Sequence, residues 1–497
     1  MKNIKFNSFF KFVFGGSILL IGISCTDLEP TYDDSTPVES ESGAFGGVNP
    51  TSFLESAYND INGMGDQANT YALLEVSSDE LVVLTRGADW GDNGIWRTMH
   101  QHTWDPGHGH ILNSWNNRNR AIYRCTQIIS PESNASAVEL AQAKTLRAFN
   151  MWFVMDFFGQ VPFRGVNEGV GVDPKVYSRA EAFDFIVKDL TEALPDLPAG
   201  NPGDIYTANQ AFANFMLAKM YLNKAVYTGS ADASDYTKVV DYVDAITADG
   251  YDLDPAYFDI FNQDHFGSNT EIIFALNTWT GNRVFNILHS TQGGWNGFAT
   301  LAEVYDSFDA NDIRRGQPST SGMGTGMLIG QQYGTDGSIL KDRGGNPLIF
   351  TKDFPTGISG NNEKTGVRPH KYARRNAAGA ADPGNGNVMA RYSDAILMKA
   401  EAIMRGGTGD VTAESIIDGL RTLRGTTASG SYTMDELLLE RRRELYIEGW
   451  RRNDQIRFGT FNKTWDMKEN TEEFRVLFPI PAVAVATNPN LVQNPGY

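Results

Sequence analysis

Residues 138–158, from Val138 to Phe158, read VELAQAKTLRAFNMWFVMDFF. Apolar side chains return at Leu140, Ala143, Leu146, Phe149, Phe153 and Phe157. That three-and-four spacing predicts one long helix with a broad buried face. Gly159 and Pro162 predict where it stops. Downstream, Ser178-Arg179-Ala180-Glu181 has the capping-box spacing ahead of Phe183, Ile186, Leu190 and Leu194, and Pro195 closes that helix. Further helices are predicted over 208–227, 236–247, 392–404, 413–423 and 434–449. Within 208–227, small and large residues combine at Ala211, Leu217, Ala218, Tyr221 and Leu222, which lets neighbouring helices approach closely. The fold class read from this pattern is mainly α, a tetratricopeptide-like scaffold of helical hairpins. Between 261 and 387 the composition turns to Gly, Asn, Asp, Thr and scattered aromatics, which predicts a loop-rich, irregular region laid over that scaffold.

The chain has 497 residues, 41% hydrophobic and 21% charged, enough to bury a large core. Its 60 acidic and 42 basic side chains give a formal net charge of −18, which argues against nucleic acid as a partner. Two cysteines, Cys25 and Cys125, supply neither a disulfide scaffold nor a cysteine-ligated zinc site.

The N-terminal residues carry an address. Lys2, Lys5 and Lys11 precede an uncharged stretch from Phe12 to Ile23, and Ser24-Cys25 follows it. This reads as a secretory signal over 1–24, too short to remain as a membrane-spanning helix. Cys25 stands where a bacterial lipobox places the lipidated cysteine. Cleavage there removes three lysines and takes the net charge from −18 to −21. Residues 25–47, acidic at first and then rich in Ser, Glu and Gly, read as a lipidated flexible tether. Beyond it the organisation is a helical region over 48–260 that includes a candidate binding loop at 76–117, the loop-rich region over 261–387, and a helical region with a tail over 388–497.

Several motifs share one order along the chain. They are Leu146-Arg147-Ala148-Phe149, Phe158-Gly159-Gln160-Val161-Pro162-Phe163, Arg391-Tyr392-Ser393-Asp394-Ala395, Glu440-Arg441-Arg442-Arg443-Glu444-Leu445-Tyr446, Phe478-Pro479-Ile480-Pro481 and Asn494-Pro495-Gly496-Tyr497. In this set the chain resembles the SusD/RagB family of Bacteroidetes surface lipoproteins, with Ser393 and Asn453 departing from the usual residues. The resemblance implies a lipid-anchored protein at the outer-membrane surface. Such a protein captures oligosaccharide or polysaccharide and delivers it to a SusC-like TonB-dependent transporter. The family also contains peptide binders, so a RagB-like peptide-binding lipoprotein is the alternative.

The chemistry of a binding site concentrates in 76–117. Trp90, Trp96, Trp104 and Trp115 fall within it, interleaved with Asp79, Glu80, Arg86, Asp89 and Asp92. A sugar ring has an apolar C–H face and a fringe of hydroxyls, so its site wants a flat aromatic platform edged by carboxylates, amides and guanidiniums. Trp90 and Trp96, in a Gly- and Asp-rich stretch, suit the platform; Trp104 and Trp115 suit the core. A second cluster places Trp279, Arg283, Trp295 and Asn296 among glycines, where an indole has little local support. Both clusters lie in regions from which the family draws its binding aromatics. The interleaved acids and arginines of 440–448 read as ion pairing within a scaffold helix.

Other chemistries are less well supplied. His100, His102, His108 and His110 lie within 11 residues, but the Pro106-Gly107 turn separates the pairs, and no metal is expected. A glycosidase needs two carboxyl groups roughly 5 to 9.5 Å apart on opposite sides of the scissile bond, and Asp79 with Glu80 or Asp89 with Asp92 are poorly spaced for it. No G-x-S-x-G, H-E-x-x-H or phosphate-binding Walker motif occurs. The expectation is a binder without catalytic residues or cofactor, its ligand a neutral glycan rather than a polyanion, with a surface glycosidase the remotest reading.

Overall fold

A computed structural model describes residues 44–497 except for 170, 279–282, 284–285, 317–321, 335 and 373–385. The expected signal peptide, Cys25 and most of the tether lie outside the described residues.

The longer helices are α1 (Pro50–Asn62), α2 (Ile95–His100), α3 (Gly109–Ile129), α4 (Ala137–Phe158), α5 (Arg179–Ala193), α6 (Gln210–Leu222), α7 (Lys224–Thr228), α8 (Ala233–Ala248), α9 (Tyr392–Met404), α10 (Ala413–Leu423), α11 (Met434–Leu445) and α12 (Arg451–Arg457). They pack in successive pairs, α3 on α4, α4 on α5, α6 on α8, α8 on α9 and α9 on α10. This is the helical-hairpin scaffold expected from the spacing. The predicted ends of α4 hold: Ser136 and Glu139 form a reciprocal capping box, and Gly159 leaves the helix at φ 70°. Burial of α4 exceeds the expected stripe, because α3, α5 and α1 cover it from several sides. α5 opens at its own box, Ser178 with Glu181.

Two predicted helices are broken, the one over 208–227 at Asn223 between α6 and α7 and the one over 434–449 more sharply. The spacing predicts continuity over 434–449, whereas α11 ends at Leu445 and α12 begins at Arg451. Between them Ile447 adopts φ 57° and Gly449 φ 89°, left-handed conformations that no α-helix contains. Buried acids from far upstream hold this turn: Glu80 accepts from the Ile447 amide at 3.1 Å and Glu75 from the Gly449 amide.

The ion pairs of 440–454 also differ from the expected helix-surface pattern. Only Arg443 with Glu440 pairs along α11. Glu444 gathers Arg314, Arg391 and Arg424 from other elements, while Arg441 bridges Asp394 and Asp454. These groups are buried, and the arginines beside them hold Glu444 well below the usual carboxylate range. The network joins the C-terminal helices to 271–314.

Strands are few and short. Those described form antiparallel pairs: β1 (Val82–Val83) with β5 (Phe298–Ala299), β2 (Gln160–Phe163) with β3 (Lys175–Ser178), β4 (Ile272–Leu276) with β10 (Asn387–Arg391), β6 (Gly326–Leu328) with β9 (Arg368–His370), and β7 (Gly330–Gln331) with β8 (Ile349–Phe350). The main core runs from Phe53 to Leu491, and a smaller separate cluster of Leu397, Ala400, Ala413, Ile417, Leu420 and Leu437 packs among α9, α10 and α11. Among the described residues no helix is long and apolar enough to cross a membrane.

Candidate functional site

A pair of two-residue strands, β1 and β5, positions the site. Val82 pairs with Ala299 and Val83 with Phe298, and the Leu84 amide donates to the Gly297 carbonyl at 3.2 Å. This ladder lays residues 84–96 beside 288–297, so two loops about 200 positions apart share one wall. A third segment joins them, since Thr85 donates to the Ile358 carbonyl at 3.0 Å and Asn361 to the Thr85 carbonyl at 3.1 Å.

Where the loops meet, the backbone is strained. Trp90 (φ 61°), Asp92 (φ 35°), Asn93 (φ 53°) and Asn296 (φ 58°) are left-handed without being glycine. Such residues cost about 1–3 kcal/mol each and gather at functional sites. Gly297 permits the arrangement, because a Cβ there would stand 2.3 Å from the Trp90 ring. Trp90 then donates its indole N–H to the Trp295 carbonyl at 2.9 Å. Trp90 and Trp96 meet edge to face at 6.0 Å, both against Phe298.

Trp295 is 64% exposed and stands between two hollows. The first, of about 490 Å³, is lined by Asp89, Trp90, Asp92, Trp96, Trp295 and Arg343, with Gln67, Ser290 and Gly294 at its edge. The second, of about 390 Å³, takes Arg86, Gly87, Ala88, Asn296 and the run Asn361-Asn362-Glu363, and shares Asp89, Trp295 and Arg343 with the first. The Arg343 side chain is 59% exposed and lies 3.2 Å from Asp89 and 3.6 Å from Glu363. Glu363 accepts from the Arg343 amide and pairs with the buried His289 at 2.9 Å. Burial lowers the pKa of His289, against the pull of Glu363. An exposed indole flanked by a guanidinium, carboxylates and amides can stack on a ring and hydrogen-bond its edge.

The predicted residues divide between this cleft and the scaffold. Trp90, Asp89, Asp92, Trp295, Arg86 and Asn296 line the hollows. Trp96 lines the first as well but is only 5% exposed; its indole donates to Asp92 at 2.8 Å and packs on His110, so it supports the wall and offers no open stacking face. Asn296 spends its side chain on Arg368 and the Glu363 carbonyl. The structure puts Asp79 and Glu80 in the core instead of at the cleft edge. Asp79 is locked between Arg451 at 2.6 Å and Arg442 at 3.2 Å. Glu80 holds the break between α11 and α12, its pKa driven well up by burial. Arg283 is buried too, donating to the Met64 carbonyl at 2.7 Å and stacking 3.7 Å from Tyr71. Trp279 lies outside the described residues. Trp104 and Trp115 are core, as expected.

His100, His102 and His108 hold separate main-chain carbonyls, and His110 accepts from the Asn69 amide. Among the described residues no group of three or more potential ligands could hold a metal. Sequence reasoning missed Arg343, Gln67, Ser290 and Asn361 to Glu363. The Gly344-Gly345-Asn346 turn beside Arg343 was the available signal, since a tight turn presents its neighbour to solvent. A more apolar hollow of about 290 Å³, lined by Ile122, Tyr123, Pro162 and Pro174, lies at α3 and the β2–β3 pair. It has one aromatic ring and only Asn119 and Arg164 as polar side chains, so the Trp295 cleft is the better-equipped site.

Helical hairpins thus carry an indole-edged cleft on their loops. Residues 270–497 match the model of the SusD family. The chain is 27% identical over 411 residues to the starch-binding protein SusD of Bacteroides thetaiotaomicron, covering 72% of each chain. The fold is shared with surface glycan-binding protein A of Bacteroides uniformis, at a TM-score of 0.70 and 19% identity over 90% of this chain and 98% of that one. It is shared also with surface glycan-binding protein A of B. thetaiotaomicron in complex with laminarihexaose, at a TM-score of 0.64 and 21% identity over 90% and 98%.

Proposed function

We propose that this protein is a non-catalytic glycan-binding lipoprotein of the outer-membrane surface, anchored through Cys25, which captures oligosaccharide or polysaccharide and delivers it to a SusC-like TonB-dependent transporter. The observation that carries the reading is Trp295, an indole 64% exposed between two polar hollows. Leaving so large an apolar face in water has a purpose when a sugar's C–H face covers it. The starch-binding relative and the laminarihexaose complex of a structural neighbour support a glycan as ligand.

The backbone of the ligand is neutral in this reading. Asp89 and Asp92 outnumber Arg343 around the first hollow, and a chain of net charge −18 repels a densely charged polyanion. Catalysis is unsupported, since Asp89 is paired with Arg343 and Asp92 is bonded to Trp96. Native affinity electrophoresis of residues 26–497 against neutral and acidic polysaccharides tests the proposal. Retardation by a glycan with no reducing ends released is expected; release of reducing ends, or indifference to every glycan, would overturn it.

A further inference from the structure

Most of the protein's other buried guanidiniums have carboxylate partners, whereas Arg118 and Arg283 are held by neutral acceptors. Arg314 holds Asp312 and Glu440, Arg391 holds Glu271, and Arg451 holds Asp79. Behind the second hollow two arginines are held by neutral acceptors as well. Arg86, 6% exposed, donates to the carbonyls of Asn296, Asn362 and Thr365. Arg368, fully buried, donates to the Asn296 side chain and to the carbonyls of Glu363, Thr365 and Gly366. Neither forms an ion pair with a described carboxylate.

A guanidinium taken out of water without a counter-anion is costly, and buried charges are as a rule paired. Two of them share the Thr365 carbonyl and Asn296, close enough for each to oppose the other's charge. Burial lowers the pKa of Arg86 to about 9, with Glu363 opposing, and lowers that of Arg368 as well, with the Arg86 charge adding to the effect. Glu363 also serves Arg343 and His289. The lining of the second hollow balances Arg86 and Arg343 against Asp89 and Glu363, and Arg368, buried behind it, adds one positive charge. The first hollow has the opposite sign, with Asp89 and Asp92 against Arg343. Arg86 reaches the surface where the second hollow opens.

We propose that the second hollow takes a single anionic substituent, a carboxylate or a sulfate ester, carried by the sugar next to the one resting on Trp295. The inference rests on the glycan reading above. It specifies a glycan whose neutral backbone bears spaced acidic groups, one of which supplies the counter-anion that the protein withholds from Arg86 and Arg368.

The test is calorimetric titration of residues 26–497 with oligosaccharides in matched pairs. The core begins at Phe53, so this chain retains all of it. Each glucuronate-bearing member is compared with its carboxyl-reduced form, and each sulfate ester with its desulfated form. The acidic member of at least one pair is expected to bind at least about 10-fold more tightly, with the gap narrowing as salt is raised. Which pair responds tells carboxylate from sulfate. Arg86→Gln is expected to erase the preference; if that variant fails to fold, the wild-type comparison still decides. Equal or tighter binding of every neutral member, with both members lost in Trp295→Ala, would overturn the inference and leave the glycan reading intact. Absence of binding by every member would overturn both.

Discussion

In the proposed function the exposed Trp295 side chain serves recognition. Its exposure means that Trp295→Ala should leave stability within about 0.5 kcal/mol of the parent. Trp90 differs, because its ring rests on Gly297 and Phe298 and its N–H is bonded. Trp90→Ala should lower stability by about 2 kcal/mol and weaken binding as well, as chemical denaturation and calorimetry on one sample would register. Burial raises the pKa of Glu75 to about 7, although the Gly449 amide, Arg283 and Lys371 oppose it. A carboxyl group whose folded pKa lies above its unfolded one stabilises the protein most at low pH, and that contribution fades as pH rises through about 7. Glu75→Gln keeps an oxygen for the Gly449 amide and removes the titration. It should therefore stabilise the protein at pH 8 by on the order of 2 kcal/mol relative to wild type, and much less at pH 5. An equal effect at both pH values would show that Glu75 titrates normally.

Among the elements, the turn between α11 and α12 depends on residues some 370 positions away. Asp79 fastens Arg442 of α11 and Arg451 of α12 with one carboxylate, and these arginines hold its pKa down against burial. Asp79→Ala leaves two buried cations short of an anion and should cost about 3–5 kcal/mol, read as a lower denaturation midpoint with an unchanged slope. Loss of the Ser136 cap should cost only about 1 kcal/mol, since that helix end lies at the surface. This contrast also explains what could be read from the chain. Helix starts and stops such as Ser178, Gly159 and the bounds of α9 and α10 rest on local chemistry, and the sequence carried them. The break after Leu445 rests on Glu75 and Glu80 reaching across the molecule, and nothing near Ile447 announces it. Asp79 and Glu80 similarly resemble a ligand fringe until the partners they meet, Arg442 and Arg451 for the one and the Ile447 amide for the other, are known.

Across the whole molecule, the helical scaffold holds three loop segments in register so that their tips form one cleft. The aromatic clusters around Trp90 and Trp295 were legible separately, as glycine-flanked indoles without helical spacing. Their contact was not, because it depends on a two-residue ladder whose residues look like any apolar pair. Arg343 was illegible for a related reason: a lone arginine in a turn gains meaning only from Asp89 and Glu363 beside it. Glycan capture, in the proposed function, runs through the exposed Trp295 ring on an otherwise intact scaffold. Calorimetric titration of a glycan that retards the wild type, into wild type and Trp295→Ala side by side, tests it most directly. A loss of at least about 10-fold in affinity, 1.4 kcal/mol, is expected, with the thermal unfolding of the two proteins superimposed. Undiminished binding by a folded Trp295→Ala protein would contradict it.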